Sequence, residues 1–237
     1  MNILAIDTSN ETMGIAIYQE NKITAEYISN SKNKHSIRLM PAIAQLMRDV
    51  DLTPKELSKI VVAKGPGSYT GVRIGLTTAK TMAWTLNIPV VGISSLETLA
   101  LQARELGHAT CPFFDARRGL VYTGLYQITK DGLLTASVEE KNVFFEDWLK
   151  SLKDSNQKIV FLSPDIDNYR NLIVEIIGDK AIIPEKIFHT ARPSLLAIYG
   201  RDQKADDIHN LTPNYLRLVE AEAKWLEAQR KAKVEND

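Results

Sequence analysis

Residues 3–29 of the 237-residue chain read ILAIDTSNETMGIAIYQENKITAEYIS. Apolar side chains fill three short runs, at residues 3–6, 13–18 and 23–28, and polar or glycine-containing breaks separate them. Apolar runs of this length, bounded by such breaks, are typical of β-strands joined by turns. We therefore predict a three-stranded meander at the start of the fold.

The spacing of apolar residues changes after the meander. Between residues 36 and 50 the period is that of a helix, and one face carries Leu39, Ile43, Leu46 and Val50. The next segments predict a strand at 60–63, a helix at 71–86, a strand at 89–93 and a helix at 96–105 opened by Ser94 or Ser95. The order of elements in the first half is then β-β-β-α-β-α-β-α.

The second half repeats much of this pattern. We predict strands at 112–115 and 120–126, a helix near 146–152, a strand at 159–162, a helix at 167–177, a strand at 181–183 and part of a helix at 194–199. Asp7 and Asp115 lie 108 positions apart, and so do Tyr18 and Tyr126 at the ends of the following strands. A repeat in register indicates a duplication.

The duplication predicts two α/β lobes, at residues 1–107 and 108–237. No segment rich in proline or glycine marks the boundary, which rests on the restart of the strand pattern. A terminal helix is expected in the second lobe, because the apolar spacing at the end of the chain is helical at Leu216, Val219, Ala223 and Leu226.

Composition narrows the class of protein. With 44% hydrophobic residues the chain is able to bury a core, which excludes a disordered protein. The 29 basic residues balance the 29 acidic ones, which disfavours a chain that binds RNA by itself. Cys111 is the single cysteine, so no internal disulfide forms, and no apolar run is long enough to span a membrane. We expect a cytoplasmic protein.

Two segments raise the question of a nucleotide site. Residues 65–75 join a predicted strand to a predicted helix and contain four glycines, but no Lys-Ser or Lys-Thr follows Gly71, and Thr70 replaces the last glycine of a dinucleotide motif. We favour a tight strand-to-helix turn over a phosphate cradle. The candidate vestigial nucleotide-binding residues are Asp7, Thr8, Ser9, Gly65 and Gly67.

The first of these segments allows two interpretations. Asp7, Thr8 and Ser9 follow a strand, where their hydroxyls and amides are suited either to a phosphate or to an ordinary side-chain-to-backbone turn. The corresponding stretch of the second half, residues 115–119, lacks the hydroxyl pair and carries Arg117 and Arg118 instead. A complete two-loop nucleotide clamp is therefore not expected.

Three motifs, read together, resemble those of the bacterial TsaB (YeaZ) family. They are IDTSNET at 6–12, GPGSYTGVRIGL at 65–76 and PNYLR at 213–217, and the resemblance extends from Met1 to about Arg217. It implies the duplicated fold of actin, Hsp70 and sugar kinases, which is ribonuclease-H-like in each half. Members of the family belong to the machinery that places a threonylcarbamoyl group on adenosine 37 of tRNAs that read codons beginning with A.

The resemblance also implies how such a protein works. In that machinery the relative TsaD transfers the group, and TsaB is its catalytically silent partner. We therefore expect a TsaD-like transferase as partner, a TsaE-like ATPase as third component, a homodimer when the chain is alone, and contact with tRNA only through the complex. No cofactor is expected on this chain by itself, although ATP or ADP could bind at a boundary shared with the partner.

Metal ligands are missing at the place where the transferase carries them. The resembled catalytic relative has His-x-x-x-His on a helix, which puts two imidazoles on one face as chelation requires. Here His35 is followed four residues later by Leu39, and the other histidines are scattered. We interpret His35 as a helix-start residue and predict neither a metal site nor a catalytic residue.

Two helices show a second face that predicts a protein contact. On the first predicted helix this face carries Ile37, Met40, Ala44 and Met47, opposite the sheet-facing stripe. On the next it carries Arg73, Thr77, Lys80 and Trp84. Another helix of the same chain could also cover these faces, and Pro41 could kink the first helix. We predict that they form a helix bundle with a TsaD-like partner.

Two hypotheses from different classes follow. The first is a non-catalytic subunit that binds and activates the transferase. The alternative is a stand-alone nucleotide hydrolase or peptidase, which requires a working phosphate clamp or a nucleophile beside a base. Spacing alone assembles no such group of residues in this sequence.

Overall fold

The first half of the chain forms a five-stranded sheet, in a computed structural model that describes residues 1–31, 35–129 and 131–216. Its elements are β1 (Ile3–Asp7), β2 (Met13–Gln19), β3 (Lys22–Ser29), α1 (His35–Asp49), β4 (Lys59–Ala63), α2 (Tyr69–Leu86), β5 (Val90–Ile93) and α3 (Ser95–Ala100). The strand order is β3-β2-β1-β4-β5, with the meander antiparallel and β4 and β5 parallel to β1. The predicted meander is confirmed.

The second half builds the same sheet again. Its elements are β6 (Ala109–Asp115), β7 (Leu120–Ile128), β8 (Leu134–Phe144), α4 (Phe145–Leu152), β9 (Ile159–Leu162), α5 (Ile166–Ile177), β10 (Ala181–Ile182) and α6 (Pro193–Arg201). The order β8-β7-β6-β9-β10 matches the first sheet strand for strand. Because β1 ends at Asp7 and β6 at Asp115, the predicted duplication is confirmed in the expected register.

One strand of the second sheet escaped the sequence analysis. The edge strand β8 has the sequence LTASVEEKNVF, and most of its side chains are exposed or half-buried. An edge strand with one solvated face carries polar and charged residues and lacks a continuous apolar run. The pattern that identified the other strands is therefore absent from this one.

Each sheet is covered on one face by helices of its own half and on the other by a helix of the opposite half. Helices α1 and α2 lie on one face of the first sheet, and α6 covers its other face, where Leu196 and Ala197 are buried beside Ile3 and Ala5. Helices α4 and α5 cover the second sheet, and α3 packs on its opposite face against β6 and β7. The two halves thus exchange one helix each.

Both ends of α6 are anchored to the first sheet. At its start, the carboxylate of Glu26 on β3 accepts a hydrogen bond from the Ser194 amide (2.9 Å) and pairs with Arg192. At its end, the buried Lys59 ammonium donates to the carbonyls of Gly200, Arg201 and Gln203. Cations are favourable at a helix C-terminus and anions at its N-terminus, so both contacts stabilise the exchanged position.

Two sequence expectations concern the ends of the lobes. The second sheet begins at Ala109, but α3 and α6 pack across the two halves, and the division at residues 107 and 108 stays a prediction. The predicted terminal helix from Leu216 lies outside the described residues, apart from Leu216 itself. Within the described ranges, no helix is both long and apolar enough to cross a bilayer.

Candidate docking surface and the adjoining loops

Helix α1 has an apolar side that faces solvent. Ile37 is 68% exposed and Met40 is 49% exposed, and Ala44 lies on the same side. Of the predicted sheet-facing stripe, Leu39, Ile43 and Leu46 are buried in the core, whereas Val50 follows the last helical residue and packs half-buried against the core. An amphipathic helix on the outside of a domain normally presents polar residues to solvent. The outer side of α1 departs from that rule.

Met47 does not lie on the outer side of α1, where the sequence analysis placed it. The side chain is 4% exposed and belongs to the core formed by α1, α2 and the first sheet. Successive helical residues are 100° apart, so Met47 lies only 40° from the buried Ile43. It sits at the edge of the buried stripe and has no access to a partner. Pro41 is accommodated within a helix that runs without interruption from His35 to Asp49.

Helix α2 presents a second exposed face beside α1. Its start is capped by Ser68, whose hydroxyl accepts a hydrogen bond from the Gly71 amide (3.2 Å). Arg73, Thr77 and Trp84 are exposed on one side of the helix, and the indole of Trp84 is 70% exposed. These residues were predicted to face a partner, and the structure places them on the surface.

Lys80 differs from its neighbours on that side of α2. The residue is half-buried, and its ammonium donates to the carbonyl oxygens of Leu211 (2.7 Å) and His209 (3.4 Å). Its charge is therefore used to hold the C-terminal segment against α2. We call residues 206–216 the strap, because they return from α6 across the edge of the first sheet to α2.

Two tyrosines complete the surface, and neither was predicted. Arg73 Nε donates to Tyr215 Oη (2.6 Å), and the guanidinium carbon lies 3.9 Å from the centre of the Tyr69 ring. The two rings stack with their centres 5.6 Å apart. Tyr215 lies in the PNYLR motif, but sequence spacing gives no sign that this motif meets α2.

The exposed sides of α1 and α2 lie on two helices that pack against each other. A groove between α1 and α2 is lined by Ser36, Tyr69, Thr70, Arg73, Ile74, Thr77 and Thr78. We call this region the docking face and define it by Ile37, Met40, Ala44, Tyr69, Arg73, Thr77 and Trp84. It combines apolar and aromatic side chains with a cation, a composition typical of protein interfaces.

The polar loop after β1 is occupied by its own hydrogen bonds. Ser9 donates to the Asp7 carboxylate from its amide (2.9 Å) and from its hydroxyl (2.7 Å), and Thr8 Oγ1 donates to the Gly71 carbonyl (2.7 Å). All three side chains are buried, and burial raises the pKa of Asp7 while the bonds from Ser9 partly offset that rise. Of the two interpretations left open, the turn accounts for these contacts.

The glycines of the second motif let α2 approach this loop. A Cβ on Gly71 would lie 2.2 Å from the Thr8 carbonyl oxygen, and one on Gly67 would lie 2.1 Å from that of Ser9. At Gly75 it would meet the Thr8 hydroxyl at 2.4 Å. A side chain is also disfavoured at Gly65, because its φ is +92° and a Cβ there would lie close to the Asn214 carbonyl oxygen. The motif is a close packing of helix on loop.

The cavity next to the loop after β1 is too small for a nucleotide. The cavity beside Asp7, lined also by Gly14, Phe114 and Pro164, has a volume of about 10 Å³. A cavity of that size holds no more than about one water molecule. Pro193 of α6 packs closely on the backbone at Gly14, because a Cβ there would lie 3.1 Å from the proline ring. The residues beside this cavity do not fit a nucleotide bound by this chain alone.

The corresponding loop of the second half is a tight turn. The Asp115 carboxylate accepts a hydrogen bond from the Arg117 amide (2.7 Å), and Arg117 and Arg118 both adopt positive φ. Both arginines are exposed. The hydroxyl pair of the first loop has no counterpart here, as the sequence indicated.

His35 begins α1, as predicted. A nitrogen of its ring lies 2.8 Å from the Asn10 carbonyl oxygen, and Leu39, one turn later, is buried in the core. Among the described residues, no group of three or more histidine, cysteine, aspartate or glutamate side chains is arranged to hold a metal ion. The imidazole acts as a link between α1 and the β1–β2 loop.

Known proteins resemble this chain over nearly its full length. A family model described as "TsaD: tRNA N6-adenosine threonylcarbamoyltransferase" matches residues 22–225. The tRNA threonylcarbamoyladenosine biosynthesis protein TsaB of Bacillus subtilis is 53% identical over 230 residues, which cover 97% of this chain and all of that protein. The TsaB of Escherichia coli is 32% identical over 56% of this chain and 58% of its own length.

Solved structures agree on the fold. YeaZ from Pseudomonas aeruginosa is 26% identical with a TM-score of 0.73, and covers 91% of this chain and 99% of its own. A second Pseudomonas aeruginosa structure, described as similar to peptidase YEAZ, has a TM-score of 0.76 at 21% identity, with the same coverage. The fold they share is α/β, and in this chain it consists of two five-stranded sheets with the same strand order. The chain belongs to the TsaB (YeaZ) family and has a role in the biosynthesis of threonylcarbamoyladenosine in tRNA.

Proposed function

We propose that this protein is a non-catalytic subunit that docks on a TsaD-like transferase through the docking face and activates it. The transferase forms N6-threonylcarbamoyladenosine at position 37 of tRNAs that read codons beginning with A. A TsaE-like ATPase is the third component, and tRNA meets this chain only through the complex. In the cytoplasm, where these components work, free copies pair through the same face as a homodimer.

The observation that carries the proposal is the exposed apolar side of α1 and α2. Ile37, Met40 and Trp84 each leave about half or more of their surface in water. Covering the exposed part of each would contribute on the order of 1–2 kcal/mol to binding. Methionine and tryptophan suit an interface because the first adapts its shape and the second provides a large contact.

The family match favours a partner of the same fold. The TsaD model aligns with residues 22–225, a range that includes both α1 and α2. A transferase of that family therefore has helices that correspond to these two. Pairing one helix pair with the corresponding pair of the partner buries both apolar sides in a helix bundle, and a second copy of this chain offers the same geometry.

The alternative, a stand-alone nucleotide hydrolase or peptidase, finds little support. Ser9 is buried and donates its hydroxyl proton to Asp7, while the ring of His35 bonds to a backbone carbonyl. A nucleophile must instead be hydrogen-bonded to its base and reach the substrate. The cavity beside Asp7 is also too small for a nucleotide, so we place any ATP or ADP at the boundary with the partner.

The test is a titration of this chain into a TsaD-like transferase supplied with tRNA and threonylcarbamoyl-adenylate, with modified adenosine as the readout. We expect activation that saturates near one chain per transferase. In the double variant Ile37→Asp, Met40→Asp the half-saturating concentration should rise at least about a hundredfold, because two carboxylates would enter an apolar contact.

Ile187→Asp is the matched control. Ile187 is 66% exposed in the short turn at Lys186–His189 of the second half, so it tests the same chemical change away from the docking face. This variant should activate like the wild type. Modification of tRNA, or hydrolysis of ATP at enzyme-like rates, by the chain without the transferase would contradict the proposal. So would equal activation by the double variant.

A further inference from the structure

The strap is fixed by hydrogen bonds to the first half of the chain and, at one point, to β8 of the second half. The Asp206 amide donates to the Val90 carbonyl, and its carboxylate accepts from the Gly92 amide (2.7 Å). Further on, the Asn214 amide donates to the Lys64 carbonyl (2.7 Å), and its side chain donates to Glu140 on β8 (2.7 Å). These bonds deliver the next residue, Tyr215, to the side of α2.

Tyr215 and Tyr69 together fix the plane of the Arg73 guanidinium. The Tyr215 hydroxyl holds Nε, and the Tyr69 ring lies under the guanidinium face. Within the described part of the chain, the side-chain partners of Arg73 are Tyr215, at Nε, and the ring of Tyr69, and the two Nη groups have no hydrogen-bonding partner. A guanidinium held in this way keeps its parallel N–H pair free, and that pair matches the two oxygens of a carboxylate.

The charge of α2 is one-sided. The helix has 18 residues and contains two cations and no carboxylate. Lys80 donates to the strap carbonyls, so Arg73 is the cation of α2 that remains for a partner. A partner surface that fits this helix should therefore bring a negative charge opposite Arg73.

We propose that Tyr215 is a positioning residue for partner docking: with Tyr69, it holds Arg73 so that its Nη pair receives a carboxylate of the transferase. This inference rests on the proposed function and adds the strap to the docking surface. Because the guanidinium is already ordered before docking, the partner does not have to immobilise a flexible arginine. The strap thereby sets how tightly the partner binds.

Four variants in the same titration test the inference. Arg73→Gln should raise the half-saturating concentration about tenfold and leave the maximal rate unchanged. Tyr215→Ala should raise it by several fold, and Tyr215→Phe, which keeps the ring but loses the hydrogen bond, by less. Tyr215→Ala made in the Arg73→Gln background should have no further effect, because Tyr215 acts through Arg73.

Tyr18→Phe is the matched control. Tyr18 Oη accepts a hydrogen bond from Arg201 Nη1 (3.0 Å), which is also an arginine–tyrosine contact, but it lies on the α6 side of the first sheet. This variant should leave the half-saturating concentration unchanged. Raising the salt concentration should weaken activation by the wild type more than activation by Arg73→Gln, because the carboxylate contact is ionic.

The outcomes separate the two proposals. If the wild type fails to activate the transferase, the proposed function is wrong and the inference falls with it. If the wild type activates but Tyr215→Ala titrates like it, or weakens docking equally with and without Arg73, the inference alone is wrong. Thermal unfolding of each variant shows whether it is folded. If Tyr215→Ala does not fold, Tyr215→Phe, which removes only one exposed hydrogen bond, tests the inference in its place.

Discussion

The two halves share one strand order but differ in the helix that follows the meander. In the first half this helix is α1, with 15 residues and an apolar outer side. In the second half it is α4, with 8 residues, whose large apolar side chains are all buried: Phe145, Trp148, Leu149 and Leu152. The outer side of α4 carries Glu146, Asp147 and Lys150 instead. The same topology thus provides a docking surface in one half and an ordinary solvated helix in the other.

The difference shows that the docking face belongs to particular side chains, not to the fold. Duplication fixes the positions of strands and helices in both halves. The outward residues of a helix are free to vary, because they contribute little to the stability of their own domain. In the second half they are polar, and in the first half they include apolar groups that a partner can cover.

The largest effect is expected at Met47, which was predicted to be exposed on α1 but is buried. Met47→Ala should lower the free energy of unfolding by about 2–5 kcal/mol, because it leaves a cavity in the core. Met40→Ala, on the exposed side of the same helix, should change it by less than about 0.5 kcal/mol. Urea unfolding of both variants measures the contrast. Equal losses would show that α1 has no exposed apolar side.

An intermediate effect is expected at the contact between α2 and the loop after β1. Gly71→Ala should cost about 1–3 kcal/mol or more, because the new Cβ would lie 2.2 Å from the Thr8 carbonyl oxygen, a backbone atom that has little freedom to move. Thr70→Ala is the neighbouring control on an exposed site, and it should be close to neutral. Thermal unfolding measures both, and a neutral Gly71→Ala would contradict the close packing.

The smallest effect is a change in the stability of the second half with pH, which depends on His189. His189 is buried, and its Nδ1 accepts a hydrogen bond from the Ser163 amide (3.1 Å). Burial lowers the pKa of this imidazole, so the unfolded chain binds the proton more readily. Stability from this group is present above about pH 6.5 and is lost as the pH falls through the lowered pKa of the folded state.

Urea unfolding at several pH values between 5.0 and 7.5 measures this loss. For one group it cannot exceed about 1.4 kcal/mol per pH unit. His189→Asn keeps an acceptor for the Ser163 amide without titrating in this range, and the difference between wild type and variant isolates the histidine. A difference that does not change with pH would show that His189 does not titrate differently on folding.

Periodicity and turn signals were enough to predict the described strands except β8, and most of the described helices, because buried strands and amphipathic helices have distinct apolar periods. They were not enough where several elements meet. Met47 lies at the edge of a stripe, where a helical wheel cannot separate buried from exposed residues. The contacts of Arg73 with Tyr215 and of Lys80 with the strap join residues more than 120 positions apart, and no local pattern encodes such contacts.

The candidate site was predictable in part for the same reason. Ile37, Met40, Arg73 and Trp84 lie on helices, whose geometry converts spacing into position, and the structure places them on the surface. The roles of Asp7, Thr8 and Ser9 stayed open in the sequence, because a phosphate site and a turn use the same side chains. Only the positions of the Gly71 carbonyl and the Ser9 hydroxyl separate the two interpretations.

The exchange of α3 and α6 also bears on how the chain becomes a protein. During synthesis the first sheet emerges complete, yet the face that α6 will cover stays open until nearly 200 residues have been made. A ribosome-bound intermediate would therefore expose Ile3, Ala5 and Val61 to water and to chaperones. Helix α6 completes the covering of the first sheet, and α3 packs on the second sheet, so neither half reaches its final state before the other exists.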